Sequence, residues 1–105
     1  MSAEGKFLKV LRKAGVSPYK AGYIAFALYN GISDGPVKSE DPRINGRFRL
    51  PTMQYAPDMV DARLAEFVSD NGPDNHGSPA HLLISEKGRK YHARLEAKGY
   101  FSEAH

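Results

Sequence analysis

The sequence contains no cysteine. That excludes a disulfide framework and any thiolate metal site, and makes a reducing cytoplasm the expected setting. No apolar run approaches the ~20 residues of a membrane-spanning helix, and no N-terminal stretch resembles a signal peptide, so no membrane partner is expected. Enzyme signatures are missing as well. There is no phosphate-cradling glycine loop, no nucleophile elbow and no helical His-Glu-x-x-His. Gly72, Gly77 and Gly88 do not fall at the spacing of a dinucleotide fingerprint. No catalytic residue is assigned and no cofactor is expected; the chain reads as a binding protein, not an enzyme. The candidate metal ligands reduce to His76, His81 and His92 with Asp74. They follow no recognised metal spacing, so surface or capping roles are expected for them, and no metal.

What is present is the composition of a globular domain. The chain has 105 residues, of which 41% are hydrophobic and 26% charged, which fits one domain spanning 1–105. A domain of that size hides roughly 60–70% of its unfolded surface and folds without staples. The net charge is +3, and it is unevenly spread. Lys6, Lys9, Arg12, Lys13 and Lys20 face Glu4 alone in the first twenty residues. Lys38, Arg43, Arg47 and Arg49 outnumber Glu40 and Asp41. Asp58, Asp61, Glu66, Asp70 and Asp74 then reverse the sign around Arg63, and Lys87, Arg89, Lys90, Arg94 and Lys98 restore it. Such a balance favours anionic partners, although a solvated surface of mixed charge has the same composition.

Hydrophobic spacing predicts a first helix over 3–14, with Phe7, Leu8, Val10 and Leu11 on one side and Lys6, Lys9 and Lys13 on the other. Gly15 is placed to end it in a left-handed conformation. Ser17-Pro18 starts a second helix whose body, Tyr19 to Tyr29, is apolar nearly all round, and Asn30-Gly31 closes it. Its expected place is the core; a second reading has Tyr19, Tyr23 and Tyr29 facing a partner. Turn signals fill 31–57, among them the two-residue hairpin signal Asn45-Gly46. Arg47-Phe48-Arg49-Leu50 follows with strand alternation, and Pro51 ends it. Pro57 opens a third helix, about 57–70, with Val60, Leu64, Phe67 and Val68 as its apolar face. A polar loop, 70–80, leads to a strand, His81–Ile84. Ser85 then caps a last helix, about 86–98, in which Tyr91 and Leu95 meet. Gly99 ends that helix, Tyr100-Phe101 folds back on the core, and the last residues fray. No internal repeat is present.

The run Leu83-Ile84-Ser85-Glu86-Lys87-Gly88-Arg89-Lys90-Tyr91 resembles the close of winged-helix domains. There an aliphatic residue, a hydroxyl residue, two free positions, a glycine, a basic residue and an aromatic or aliphatic residue recur. The hydroxyl starts the helix, Gly88 admits a close backbone, and Tyr91 packs inward. The resemblance covers 81–99 and implies a small winged-helix-like α+β domain of about four helices with a short antiparallel hairpin. It also implies DNA binding and transcription regulation. The remainder departs from the family. Its third helix reads the major groove and a two-stranded wing follows. Here the third predicted helix is acidic, which suits phosphate contact poorly. The loop 70–80 supplies no first wing strand, which leaves 47–50 as the available partner of 81–84.

Two classes of function follow. The first is a non-catalytic nucleic-acid-binding regulator whose contacts come from Lys6, Lys9, Lys13, Arg47, Arg49, Lys87, Arg89 and Lys90. The second is a small accessory protein, of the kind bacteriophages carry, that docks on a host protein or nucleoprotein complex and inhibits it. Arg43, Arg47 and Arg49 with exposed tyrosines would anchor that contact. Arg47 and Arg49 share a face of a strand while Phe48 points to the other, so the pair suits phosphates or carboxylates, or keeps an edge strand soluble. An assembly subunit is a third reading, with the apolar second helix as its support.

Overall fold

The computed structural model describes residues 2–69 and 80–102. Along the chain these form α1 (Ala3–Lys13), a 3-10 turn (Pro18–Lys20), α2 (Ala21–Ser33), α3 (Ala56–Asp61), β1 (Ala65–Ser69), β2 (Ala80–Ile84) and α4 (Glu86–Ala97). The class is α+β: four helices and a two-stranded antiparallel sheet, as the sequence leads one to expect. Phe7 and Leu11 from α1, Ile24 and Leu28 from α2, Met59, Leu64, Leu82, Ile84, Leu95 and Phe101 are buried together at the centre.

Three helices end in one hydrogen-bonding pattern, in which the two residues after the cap donate back into the last turn. For α1, Gly15 donates to the Arg12 carbonyl and Val16 to that of Leu11. For α4, Gly99 donates to Glu96 and Tyr100 to Leu95, which turns Phe101 back into the core. For α3, Arg63 donates to Val60 and Leu64 to Met59. Gly15 and Gly99 supply the left-handed residue in the first two cases, but in α3 it is Arg63, at φ 62°.

The predicted third helix over 57–70 is therefore corrected. It stops at Asp61, and residues 65–69 form β1. Val60, Leu64, Phe67 and Val68 do not share a helix face; the pairing of Ala65–Ser69 with β2 overrides their helical spacing. This segment, and not only 47–50, is the strand partner of β2. Of the loop expected over 70–80, residues 70–79 lie outside the described residues, and Ala80 belongs to β2. The fraying expected at the C-terminus, at 103–105, also lies outside them.

A second correction concerns α2, which begins after the 3-10 turn and continues to Ser33, so Asn30-Gly31 does not close it. Gly31 faces the Arg49 carbonyl, and a Cβ there would stand 2.7 Å from that oxygen. The third concerns Asn45-Gly46, which bends a loop and joins no hairpin strands. Arg47 donates to Ile44 across a turn with Gly46 at φ 79°, and Val37 closes the loop through bonds with Gly46 and Arg47. Residues 47–50 lie alongside β2, as expected. Arg49 bridges Leu83, Leu50 N–H donates to Leu82, and Ile84 N–H donates to Phe48.

β1 and β2 run antiparallel with Ala65 opposite Ile84 and Glu66 opposite Leu83. Leu82 and Ile84 face the helices. Leu83 points the other way, yet it is fully buried, as is Ile44 of the 37–47 loop, and neither belongs to the central cluster. Arg43 bonds the Ser69 carbonyl and Arg47 bonds Glu66 and the Ile84 carbonyl, which ties that loop onto the sheet's second face.

One junction joins these parts. Ser85 N–H donates to the Leu64 carbonyl at 3.0 Å, Ser85 Oγ donates to the Arg63 carbonyl at 2.6 Å, and Ser85 Oγ accepts from Gly88 N–H at 3.0 Å. Gly88 lets α4 lie against that turn, because a Cβ there would stand 2.2 Å from the Leu64 oxygen. Replacing glycine by alanine inside a helix ordinarily stabilises by roughly 0.5–1 kcal/mol. Gly88→Ala is expected to do the reverse, costing about 3 kcal/mol in urea unfolding through overpacking against backbone. Unchanged or raised stability would show that helix and turn do not touch.

Candidate nucleic-acid interface

α1 and α4 lie side by side, and a trough runs between and beyond them. At one end is a pocket of about 600 Å³ walled by Ser2, Glu4, Lys6, Arg94, Lys98 and Tyr100, among others. Lys6 is shared with a middle depression of about 380 Å³ that holds Lys9, Val10, Lys13 and Tyr91. Val10 and Lys13 are shared with a third, of about 290 Å³, that reaches Asp61, Arg63 and Lys87. The three form one furrow along the 11 residues of α1, about 16 Å at helical rise.

Helical spacing explains the lining. Phe7 and Leu11 turn inward, so Lys6, Lys9 and Lys13 occupy the outer side of α1. On α4, Gly88, His92 and Leu95 turn inward, and Lys87, Tyr91, Arg94 and Lys98 fall on one stripe at i, i+4, i+7 and i+11. Tyr91 packs against Phe7, and the Arg94 guanidinium lies 5.3 Å from the Tyr91 ring centre. Among the described residues, Lys6, Lys9, Lys13, Arg63, Lys87, Arg94 and Lys98 make no ion pair. The trough's acidic members are Glu4 and Asp61.

Lys6, Lys9, Lys13 and Lys87, chosen from sequence, are thus brought together. The other chosen residues are not. Arg43 makes two bonds to the Asp41 carboxylate, at 2.7 and 3.1 Å, and holds that carboxyl below the usual carboxylate range. Arg47 is bound to Glu66, and Arg49 meets His81 Nδ1 at 3.0 Å. Arg89 lies over the Phe48 ring, at 5.2 Å from its centre, and Lys90 is exposed beside the stripe without lining the trough. Arg63, Arg94 and Lys98 line it and were passed over. The i, i+4, i+7, i+11 spacing from Lys87 carried the signal for Arg94 and Lys98. Arg63 had none, because its place depends on where α3 stops.

A separate patch gathers aromatic surface. Tyr19 is 91% exposed, Tyr23 65% and Met53 63%. Tyr23 stacks on Tyr55 with ring centres 5.7 Å apart, and Lys20 pairs with Asp58 at 2.9 Å, joining the start of α2 to α3. Tyr29, grouped with Tyr19 and Tyr23 in the sequence, instead packs on Phe101 at 4.8 Å. Among the described residues no cluster of three or more ligating side chains fits a metal, and no helix is long and apolar enough to cross a membrane. His76 and Asp74 lie outside those residues.

The chain is thus a small α+β domain with a cationic trough on one side and an aromatic patch on another. No family model, curated protein or solved structure matches it.

His92 is buried between Tyr29 and Phe101, with ring centres 6.1 and 5.2 Å away, and its Nε2 has no hydrogen-bond partner among the described residues. Burial pushes its pKa below the ordinary histidine value, against a weaker opposing pull from Glu96 at 3.9 Å. The folded state therefore favours the neutral ring. Its contribution to stability is complete above the unfolded pKa of about 6.5 and is lost as pH falls below that value. Thermal unfolding between pH 7 and pH 5 should show a drop that His92→Leu reduces; an identical drop in the variant would contradict the assignment.

Proposed function

We propose that this is a non-catalytic nucleic-acid-binding protein of winged-helix type, which contacts its ligand through the α1–α4 trough. The observation that carries the reading is the line of cations on one concave surface with no carboxylate partner among the described residues. Phosphate neutralisation by lysine and arginine supplies most sequence-independent affinity for nucleic acid, and a positive groove suits a tracked backbone. The winged-helix part is supported by the element order: two helices, the extended segment 47–50, a short helix, a hairpin and a closing helix. The departure is α3. It has six residues, and Asp58 and Asp61 lie on it, so it is a poor element for reading a major groove. Contact passes to α1 and α4 instead. A cytoplasmic regulator of transcription is the role this reading implies.

A second reading, docking on a host protein or nucleoprotein complex to inhibit it, is favoured by the exposed Tyr19 and Met53 and by the exposed Tyr23, which stacks on Tyr55. Tyrosine anchors are enriched at such contacts.

Fluorescence anisotropy of labelled single-stranded and duplex oligonucleotides across a salt series separates the two. Affinity should fall steeply with salt, and Lys9→Ala and Lys13→Ala should each weaken binding and flatten the log–log slope by about 0.7–0.9. Arg43→Ala, which removes a residue bonded to Asp41 and Ser69, should leave both unchanged. Absence of binding at low salt would remove the nucleic-acid reading. Nuclease-resistant capture of a protein that Tyr19→Ala and Tyr23→Ala abolish would support docking.

A further inference from the structure

The trough is not uniform. Its widest part, the pocket of about 600 Å³, sits at the end where α1 begins and α4 stops. Lys6, Arg94 and Lys98 reach it from two helices, and Glu4 is its carboxylate. Among the described residues that line it, three cations stand against one carboxylate, an excess of two positive charges. Elsewhere the lysines are spread along the furrow, as a chain of singly charged phosphodiesters requires. Two positive charges at one point match a phosphate monoester, which carries ≈ −1.5 to −2 at neutral pH and three free oxygens. Arg94 contributes a planar fork suited to two of those oxygens; its side chain makes no hydrogen bond among the described residues. Tyr100, half-buried at the pocket's edge, adds an aromatic wall for a terminal sugar or base.

We propose that this pocket binds the terminal phosphate of a nucleic-acid strand whose following phosphates run along the trough. The proposal rests on the nucleic-acid reading and adds to it that a strand end is recognised. It predicts a preference that a uniform basic surface lacks.

The test compares one oligonucleotide in three forms: 5′-phosphorylated, 3′-phosphorylated and unphosphorylated. A phosphoserine peptide is run alongside. One phosphorylated form should bind about tenfold more tightly than the unphosphorylated strand. Arg94→Gln and Lys98→Gln should bring that ratio close to one, whereas Lys13→Gln should weaken all forms and keep the ratio. Circular dichroism and thermal unfolding confirm that each variant is folded. If all three forms bind equally, the pocket is not an end site, while the nucleic-acid reading stands. If no form binds, both readings fail. An increment seen with the phosphoserine peptide and with neither phosphorylated strand assigns the pocket to a protein ligand and overturns the proposal.

Discussion

The clasp between the Arg63–Leu64 turn and the Ser85–Gly88 turn is the constraint on which the rest of the structure depends. Four elements meet there: α3 ends, β1 begins, β2 ends and α4 begins. Ser85 satisfies backbone groups on both sides with one side chain and one N–H, and the missing Cβ of Gly88 lets the helix reach the Leu64 carbonyl. Leu64 and Ile84 beside the clasp are fully buried, while Ser85 and Arg63 stand at its solvent edge, so the clasp closes the rim of the core.

That clasp also determines where charge appears. It fixes the start and rotation of α4, and thereby places Lys87, Tyr91, Arg94 and Lys98 toward α1 and His92 and Leu95 toward the core. It places Arg63 at the far end of the same trough. The cations of the middle segment have a different fate. Arg43, Arg47 and Arg49 meet Asp41, Glu66 and His81, and the first two fasten the 37–47 loop over Leu83. Two sets of basic residues of equal prominence in the sequence thus divide into one that holds the fold and one that lines the trough without a carboxylate partner among the described residues. An exposed pair of the first kind contributes little to stability by itself, but here several act together over a buried leucine.

How much of this was legible depended on whether the signal was local. Ser85 as a cap, Gly88 as a close-approach point, Gly99 as a helix end and the return of Phe101 were readable, because a hydroxyl or a glycine marks each. The end of α3 was not. It uses the same closing pattern as α1 and α4, but the left-handed residue is Arg63, and nothing in an arginine announces that conformation. With the stop unseen, Val60, Leu64, Phe67 and Val68 imitate a helix face. The strand they conceal becomes evident once β2 is known to pair with it. Gly31 misled in the opposite sense: a glycine that marks a backbone crossing was read as a terminator. The trough itself was half legible. The lysines of one helix could be grouped by spacing, while the contribution of Arg63, the ion pair of Arg47 with Glu66 and the contact of Arg49 with His81 needed the tertiary arrangement.

The central claim is that the α1–α4 trough, rather than the arginine-rich loop or the tyrosine patch, is the surface that meets the ligand. The most direct measurement is a two-dimensional amide NMR titration of the isotope-labelled protein with a short oligonucleotide. The account predicts chemical-shift changes concentrated at Lys6, Lys9, Lys13, Arg63, Lys87, Tyr91, Arg94 and Lys98. Changes concentrated at Arg43, Arg47 and Arg49, or at Tyr19, Tyr23 and Tyr55, with α1 and α4 unmoved, would contradict it.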